Sequence, residues 1–588
     1  MSAAAPEAPE PRHGFDDSRR LTGPNRWYPG TAVTLTPGGP AAQDAAAHAR
    51  WAGHVRRLCA QLHWPDPQPR VLPDAREPLL VFAAPEDQLY TATEISEWAW
   101  ERSSAEVGQP LPAAGYDLAQ DLGEDPAAVF AARAAAEQRP ALAALKVSAQ
   151  ARALPLLADD DTVSIGAGTG SRSWPLDALP AVDAAPWVAL HDVPTALVTG
   201  SNGKTTTVRL LAAMAQAAGY TAGCCSTEGV VVGGLLQDGG DYSGPAGARA
   251  VLRHPAVQLA VLETARGGLL RRGLTVTRAD AAAVTNVSAD HLGEYGVGTV
   301  EDIAHTKLVV ARALAQGGTL VLNGADTLLM AVADATPAVQ ALRAAGRLAL
   351  FAQDHEHAAL AALRASGGSS CGVRAGRLLW VQGGLETDLG AVADMPLTLG
   401  GAAPHNTENI ATAVLLAAAL GLPAAALVQT LQHFGAQPQD NAGRLERWVH
   451  RGATVLIDYA HNPDGLQQLL RVAHALKPTR LGLLLGQAGN RDDAAIADLA
   501  RVAAAAQPER IVIKELPGML RGRAVGEVPR LLEQALLGAG YARDRLQHQA
   551  DETAAAQALL AWAQPGDVVV LAVHTGNVRA ALAAQLQG

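Results

Sequence analysis

The stretch TGSNGKTTT, Thr199 to Thr207, sets two glycines, a lysine and several hydroxyls between an apolar run and an apolar-periodic helix pattern. Glycines at such a turn let backbone N–H groups close on phosphate oxygens, and the positive end of a helix dipole faces the same spot. Lys204 is placed to neutralise β- and γ-phosphates, and Thr205 to offer its hydroxyl to Mg²⁺. Ser201, Asn202 and Thr206 complete the loop's candidate nucleotide contacts. The spacing is unusual. The general phosphate loop has four residues between its glycines, whereas only two separate Gly200 from Gly203.

Other residues could share this chemistry. Glu263 ends the apolar run of VQLAVLETA, where a carboxylate can hold the same hard cation through oxygen. Taken alone it reads equally well as a solvated strand end. Asn286 and His291 follow a further apolar run in TNVSADHLGEYG, and Lys307 lies sixteen residues beyond His291 on a helical pattern. By themselves a lone histidine is an ordinary satisfied polar group and a lone lysine a solvated one.

Elements must bring these residues together. At 588 residues the chain exceeds one hydrophobic core, and ~150 residues per domain implies about four units. Residues 1–15 read as a disordered tail, acidic and Pro-bearing where a signal peptide needs a basic start and an apolar core. Residues 16–158 carry strand-like runs such as EPLLVFAAP, helical ones such as TATEISEWAWERS, and an Ala-rich helical stretch. This mixture suggests an α+β domain with no catalytic cluster. Residues 159–193, acidic, Gly-rich and stopped by Pro, read as a linker. From 194 to 440, runs such as TALVTG, ADAAAVTNV and GGTLVLNG alternate with helical patterns. That rhythm predicts an α/β domain with a mostly parallel sheet, whose ligands gather at strand carboxyl ends. Residues 441–588 repeat it in ATVLIDYAHNP, RLGLLLGQAGNRDD, ERIVIKEL and GDVVVLAVHTGN, predicting a second, Rossmann-like α/β domain.

Bulk properties narrow the class. A net charge of −11 argues against a nucleic-acid partner, and no apolar run approaches the ~20 residues that cross a bilayer. Cys59, Cys224, Cys225 and Cys371 form no CxxC pair and suit buried thiols in a reducing cytoplasm.

The ordered set TGSNGKTTT, Glu263 after a strand, TNVSADHLGEYG and Lys307 resembles the Mur ligase superfamily, whose members make peptide bonds from ATP, a carboxylate and an amine. Within it, the segment from Gly240 to Leu274, HNTENIATAV, NAGRLE, IDYAHNPDG and LRGRAVGE are similar to the ligase half of the cyanophycin synthetase family. The likeness runs from about Asp160 to the C-terminus, with a weaker echo of that family's N-terminal domain in DSRRLTGPNRW and TATEISEWAWE. The resemblance implies that Lys204 contacts the phosphates, that Thr205 and Glu263 hold a first Mg²⁺, and that His291 holds a second. It further implies a carbamylated Lys307 facing the metal, Asn406 and Asn409 cradling the adenine, and Arg444 reaching the γ-phosphate. Asp458 would meet the ribose and His461 would flank the nucleotide.

The implied function is an ATP- and Mg²⁺-dependent ligase joining a small-molecule or peptide carboxylate to an amino acid, in a homo-oligomeric dimer or tetramer. Two other readings stay open: an inactive paralogue that binds polymer or a partner synthetase, and a folylpolyglutamate-type ligase. One departure is clear. About thirty-five residues separate Leu157 from the ligase part, which leaves no room there for the ATP-grasp module of the cyanophycin family, so one ligase site is expected. Arg521 and Arg523 with Glu527 read either as a carboxylate-recognising segment or as a solvated ion-paired loop. His574 takes no role from the family and is expected to be structural.

Overall fold

The computed structural model describes residues 14–72, 78–109, 118–290 and 292–587. The described chain forms two compact units. The first comprises residues up to Gly200, Tyr220–Leu320 and Thr327–Arg347; the second comprises Ser201–Gly219, Val321–Asp326 and Leu348 onward.

The first unit opens with strands β1 (Phe15–Leu21), β2 (Ala32–Pro37), β3 (Arg70–Leu72) and β4 (Leu79–Ala83), paired in the order β1-β2-β4-β3 and antiparallel throughout. Helices Ala45–Gln61 and Leu89–Glu106 bury Trp51, Trp98 and Trp100 with Phe82 and Phe130 on one face of that sheet. Most of the expected tail, residues 1–13, lies outside the described residues, and β1 already begins at Phe15.

The other face of the sheet is also covered. Leu21, Trp27, Tyr28, Leu79 and Val81 pack with Leu270, Val297 and Ile303. At its rim Thr22 N–H donates to Arg272 O and Leu274 N–H to Pro24 O, both at 2.7 Å. Arg26 pairs with Asp302, and Arg19 Nη1 donates to Leu270 O at 2.9 Å.

The expected linker is instead folded. Strands β5 (Leu156–Ala158), β6 (Thr162–Ile165) and β7 (Arg172–Pro175) make a small antiparallel sheet. Its signal was hidden because its anchor lies far along the chain. Arg253 binds Asp159 Oδ2 at 2.6 Å, Thr162 O at 3.0 Å and Ser164 Oγ at 3.1 Å.

The rest of the first unit is built on β8 (Thr195–Thr199), β9 (Ala222–Ser226), β10 (Gly229–Val232), β11 (Leu235–Gly239), β12 (Leu259–Glu263), β13 (Ala279–Val284) and β14 (Leu314–Asn323, completed in the second unit). They lie in the order β11-β10-β9-β12-β8-β13-β14. Strands β9, β12, β8 and β13 are parallel, and their continuous apolar runs are buried on both faces. The β10–β11 hairpin adds an antiparallel edge.

The second unit holds β15 (Leu348–Asp354), β16 (Ser369–Arg374), β17 (Arg377–Gln382) and β18 (Leu385–Ala391) in that order; β15 and β16 are parallel and the rest antiparallel. Helix Lys204–Ala217 packs there on helix Pro404–Ala419. Strands β19 (Glu446–His450), β20 (Ala453–Asp458), β21 (Leu481–Leu485), β22 (Arg510–Lys514), β23 (Leu546–Gln549) and β24 (Val568–Ala572) form a sheet of order β19-β20-β24-β21-β22-β23. All but β19 run parallel. Alternate residues sort cleanly onto its two faces: Leu456, Leu483, Ile511 and Val570 into one core, Ile457, Leu484, Val512 and Leu571 into the other. That period of two is what a strand dictates. The architecture is therefore α/β behind an N-terminal α+β domain. Among the described residues no helix is long and apolar enough to cross a membrane.

Candidate active site

In the first unit the loop begins where β8 ends, between two parallel neighbours. Glu263 is the last residue of β12, pairs in register with Val198 and is 2% exposed. On the other side Thr285 N–H donates to Thr199 O at 2.9 Å, so Asn286 follows at the same carboxyl edge. Gly200 lies against that edge at φ +152°; a Cβ there would sit 1.8 Å from Thr285 Oγ1. Only glycine lets the backbone come this close.

Lys307 ends the helix Val300–Lys307, whose first turn is closed by a capping box between Thr299 and Asp302. Its side chain is 3% exposed, so the picture of a solvated lysine is excluded. His291 lies outside the described residues.

In the second unit Gly203 precedes the helix Lys204–Ala217 in the left-handed conformation, φ +85°. A Cβ at Gly203 would lie 2.1 Å from Asn409 Oδ1. Thr205 and Thr206 are buried in the first helical turn, and Lys204 Nζ donates to Ser201 O at 3.1 Å. The helix N-terminus thus sets the positive end of its dipole beside a lysine.

Asn406 and Asn409 are buried on helix Pro404–Ala419. Asn406 Nδ2 donates to Leu397 O at 2.9 Å, and Asn409 Nδ2 donates to Asn406 Oδ1 at 3.0 Å. Asn406 therefore braces Asn409, while Asn409 Oδ1 faces the loop glycine.

Arg444 stacks its guanidinium 4.7 Å from the Tyr459 ring centre and donates to Gly443 O at 2.9 Å. Asp458, the end of β20, accepts from Leu445 N–H at 2.6 Å and Ala460 N–H at 2.7 Å. Burial raises its carboxyl above the usual range, with Arg444 and the two amides pulling the other way. The His461 ring packs against the same Tyr459 ring, tilted by 56° with centroids 5.3 Å apart. Arg444, Asp458 and His461 thus gather about Tyr459, which sequence reasoning passed over.

Two further residues have clear places. Arg523 is held by Glu527 at 2.7 Å, Asp493 at 2.8 Å and the carbonyls of Gly489 and Arg491, so it braces its loop. His574 is buried; its Nε2 lies 3.1 Å from Ala460 O and its N–H donates to Glu552 at 2.7 Å. Burial pushes its pKa well below that of an ordinary imidazole. The expected structural role suits these contacts. Beneath it Lys514 and Glu552 form a buried ion pair that nothing in the local sequence announced.

The model of the Mur ligase middle domain matches residues 198–362, and that of the Mur ligase glutamate ligase domain matches 443–573, together about half of the chain. Cyanophycin synthetase of Crocosphaera subtropica is 34% identical over 381 residues, 64% of this chain and 42% of that protein. The same enzyme of Geminocystis herdmanii is 32% identical over 422 residues, 70% and 47% of the respective chains. UDP-N-acetylmuramoyl-L-alanyl-D-glutamate–2,6-diaminopimelate ligase of Thermosynechococcus vestitus is 27% identical over 396 residues, 64% of this chain and 70% of that one. The chain spans less than half the length of these cyanophycin synthetases. The family-model matches fall on the two α/β sheets that carry the loop and the Tyr459 cluster, and the chain belongs to the Mur ligase superfamily.

Proposed function

We propose that this chain is an ATP-dependent amide ligase that activates a carboxylate as an acyl phosphate and joins it to an amino-acid amine. The phosphate loop carries the reading. Its glycines are confined by Thr285 and Asn409, and a lysine and two hydroxyls open the helix that follows. Such a loop binds a nucleoside triphosphate through backbone amides. The relatives named a synthetase and a ligase support condensation rather than simple hydrolysis.

In the first step a carboxylate oxygen attacks the γ-phosphorus in line, and the bond to the β-phosphate oxygen breaks with its electrons leaving on ADP. Lys204, the helix N-terminus and Arg444 spread the charge that develops on the phosphoryl oxygens. In the second, a neutral amine attacks the acyl carbon. The C–O bond to phosphate breaks, phosphate departs, and the amide nitrogen gives up its extra proton. Asn409 and Tyr459 with its packed partners fix the nucleotide so that these steps occur between aligned groups.

Thr205, Glu263, His291 and a carbamylated Lys307 would hold Mg²⁺. Among the described residues no three His, Cys, Asp or Glu side chains gather as a metal site. A buried carboxylate such as Glu263 suits an ion that keeps several waters and takes other ligands from phosphate. Bound there, the cation neutralises phosphate charge.

The acid is proposed to be an aspartate-containing peptide or cyanophycin-related compound. The test is phosphate release from ATP–Mg²⁺ across a matrix of such acids and the common amino acids, with Lys204→Ala as control. One stimulating pair, with a product mass equal to their sum less water, is the expected result. ATP binding without condensation by any pair would overturn this substrate class, and no ATP binding would overturn the ligase.

A further inference from the structure

Asn202, Asn462 and Asp464 form an ordered run of hydrogen bonds inside the second unit. Asn462 is 2% exposed and caps the helix Pro463–Ala475: its Oδ1 accepts from Gly465 N–H at 2.8 Å. That bond settles which way its carboxamide faces. The amide nitrogen on the other side donates to Asn202 Oδ1 at 3.1 Å. Asn202 Nδ2 in turn donates to Asp464 Oδ2 at 2.8 Å, and a carboxylate can only accept. Turning either amide over would set donor against donor or acceptor against acceptor.

Two more bonds tie the helix Lys204–Ala217, which follows the phosphate loop, to the chain just ahead of β19. Asn441 Nδ2 donates to Thr206 Oγ1 at 3.2 Å, and Arg209 Nη1 donates to Ala442 O at 2.6 Å. Asn462 and Asp464 follow directly on the β20 end that carries Asp458 and His461. A single side chain in the middle of the phosphate loop, that of Asn202, is therefore registered against the segment that follows β20.

We propose that Asn462 and Asp464 are positioning residues that act through Asn202, holding the loop in the conformation in which its amides converge. They also set it in register with Asp458 and His461. Only the use to which the loop is put rests on the proposed function; the positioning itself does not. Asn202 suits this task because it presents one acceptor and one donor on a short stem. An aspartate there would offer Asn462 its acceptor but turn a second carboxylate on Asp464.

The experiment uses the full chain and four variants: Asn202→Asp, Asp464→Asn, the double N202D/D464N, and Asn462→Ser. The double variant exchanges donor and acceptor and rebuilds the run. Serine at 462 keeps the helix cap through its hydroxyl but loses the amide donor. Amide hydrogen exchange without nucleotide is read at Ser201–Lys204 and at Gly465, followed by ADP–Mg²⁺ affinity by calorimetry. N202D should speed exchange of Ser201–Lys204 about tenfold and weaken ADP–Mg²⁺ by a similar factor, as loss of one charged hydrogen bond predicts. N202D/D464N should recover most of both. Asn462→Ser should loosen the loop while leaving Gly465 protected, and it serves as the test should N202D fail to fold. Unchanged loop exchange in N202D or Asn462→Ser, or a double variant no better than N202D, overturns the proposal. A wild-type chain that binds no nucleotide overturns the ligase instead, since exchange still reports on the loop.

Discussion

Gly200 and Gly203 show how little space the candidate site allows at single residues. Gly200→Ala forces a Cβ to within 1.8 Å of Thr285 Oγ1, and Gly203→Ala to within 2.1 Å of Asn409 Oδ1, both at positive φ. Each should cost about 1–3 kcal/mol in urea unfolding, the range for overpacking, and should weaken nucleotide binding as well. Two histidines, the partly buried His405 and the buried His574, set an acid limit. Burial pushes His405 down to about 4 and His574 well below 6.5. A lowered pKa means that the unfolded chain binds protons that the folded chain refuses. The stability this represents is complete above about pH 6.5 and falls as pH drops through the window toward 4. Unfolding midpoints measured across that window should fall less steeply in His405→Gln than in the wild type. Equal slopes would mean that His405 titrates normally.

At the scale of elements, the buried Lys514–Glu552 pair joins the end of β22 to the start of helix Glu552–Trp562 and to the loop after β24. Lys514 also donates to Ala572 O, and Glu552 accepts the N–H groups of His574 and Thr575. Burial alone would raise the Glu552 carboxyl, but Lys514 and these amides hold it below the usual range. Lys514→Met strands that carboxylate without its cation and should cost about 3–5 kcal/mol. A change under 1 kcal/mol by chemical denaturation would show that Glu552 protonates or reaches water instead. Here sequence and structure part company in an instructive way. Strands such as TALVT and LGLLL were legible because continuous apolar runs bounded by polar residues suit parallel sheets covered on both faces. The β5–β7 sheet was not, because its polar residues are satisfied by Arg253, some ninety positions away.

Across the molecule, the N-terminal domain is part of the same compact unit as Glu263 and Lys307. Its sheet covers Leu270, Val297 and Ile303, and Arg26 meets Asp302 at the capped start of the helix bearing Lys307. A chain starting near Asp160 would bare these apolar residues, so light scattering should find it aggregated rather than a smaller particle of unchanged assembly. Trp27→Ala, which removes a nearly buried ring from that contact, should cost about 3–5 kcal/mol in the intact chain. A soluble, monodisperse truncation would show that the two parts fold independently.

The amino-acid sequence by itself determined the α/β strands, the phosphate loop and the order of motifs that mark a Mur ligase, because these signals are local: apolar periodicity, glycine at a turn, lysine and threonine at a helix start. It also placed Arg444, Asp458 and His461 on one later domain. Only the tertiary structure decided what surrounds them. Tyr459 as the common packing surface, Asn406 as the brace of Asn409, and Asn202 joined to Asn462 and Asp464 depend on pairings between distant positions. A hydrogen bond between residues 262 positions apart leaves no trace in either local pattern, since any of several polar residues satisfies local chemistry equally well. Packing selects among them, because a buried donor must find its acceptor wherever the fold places it.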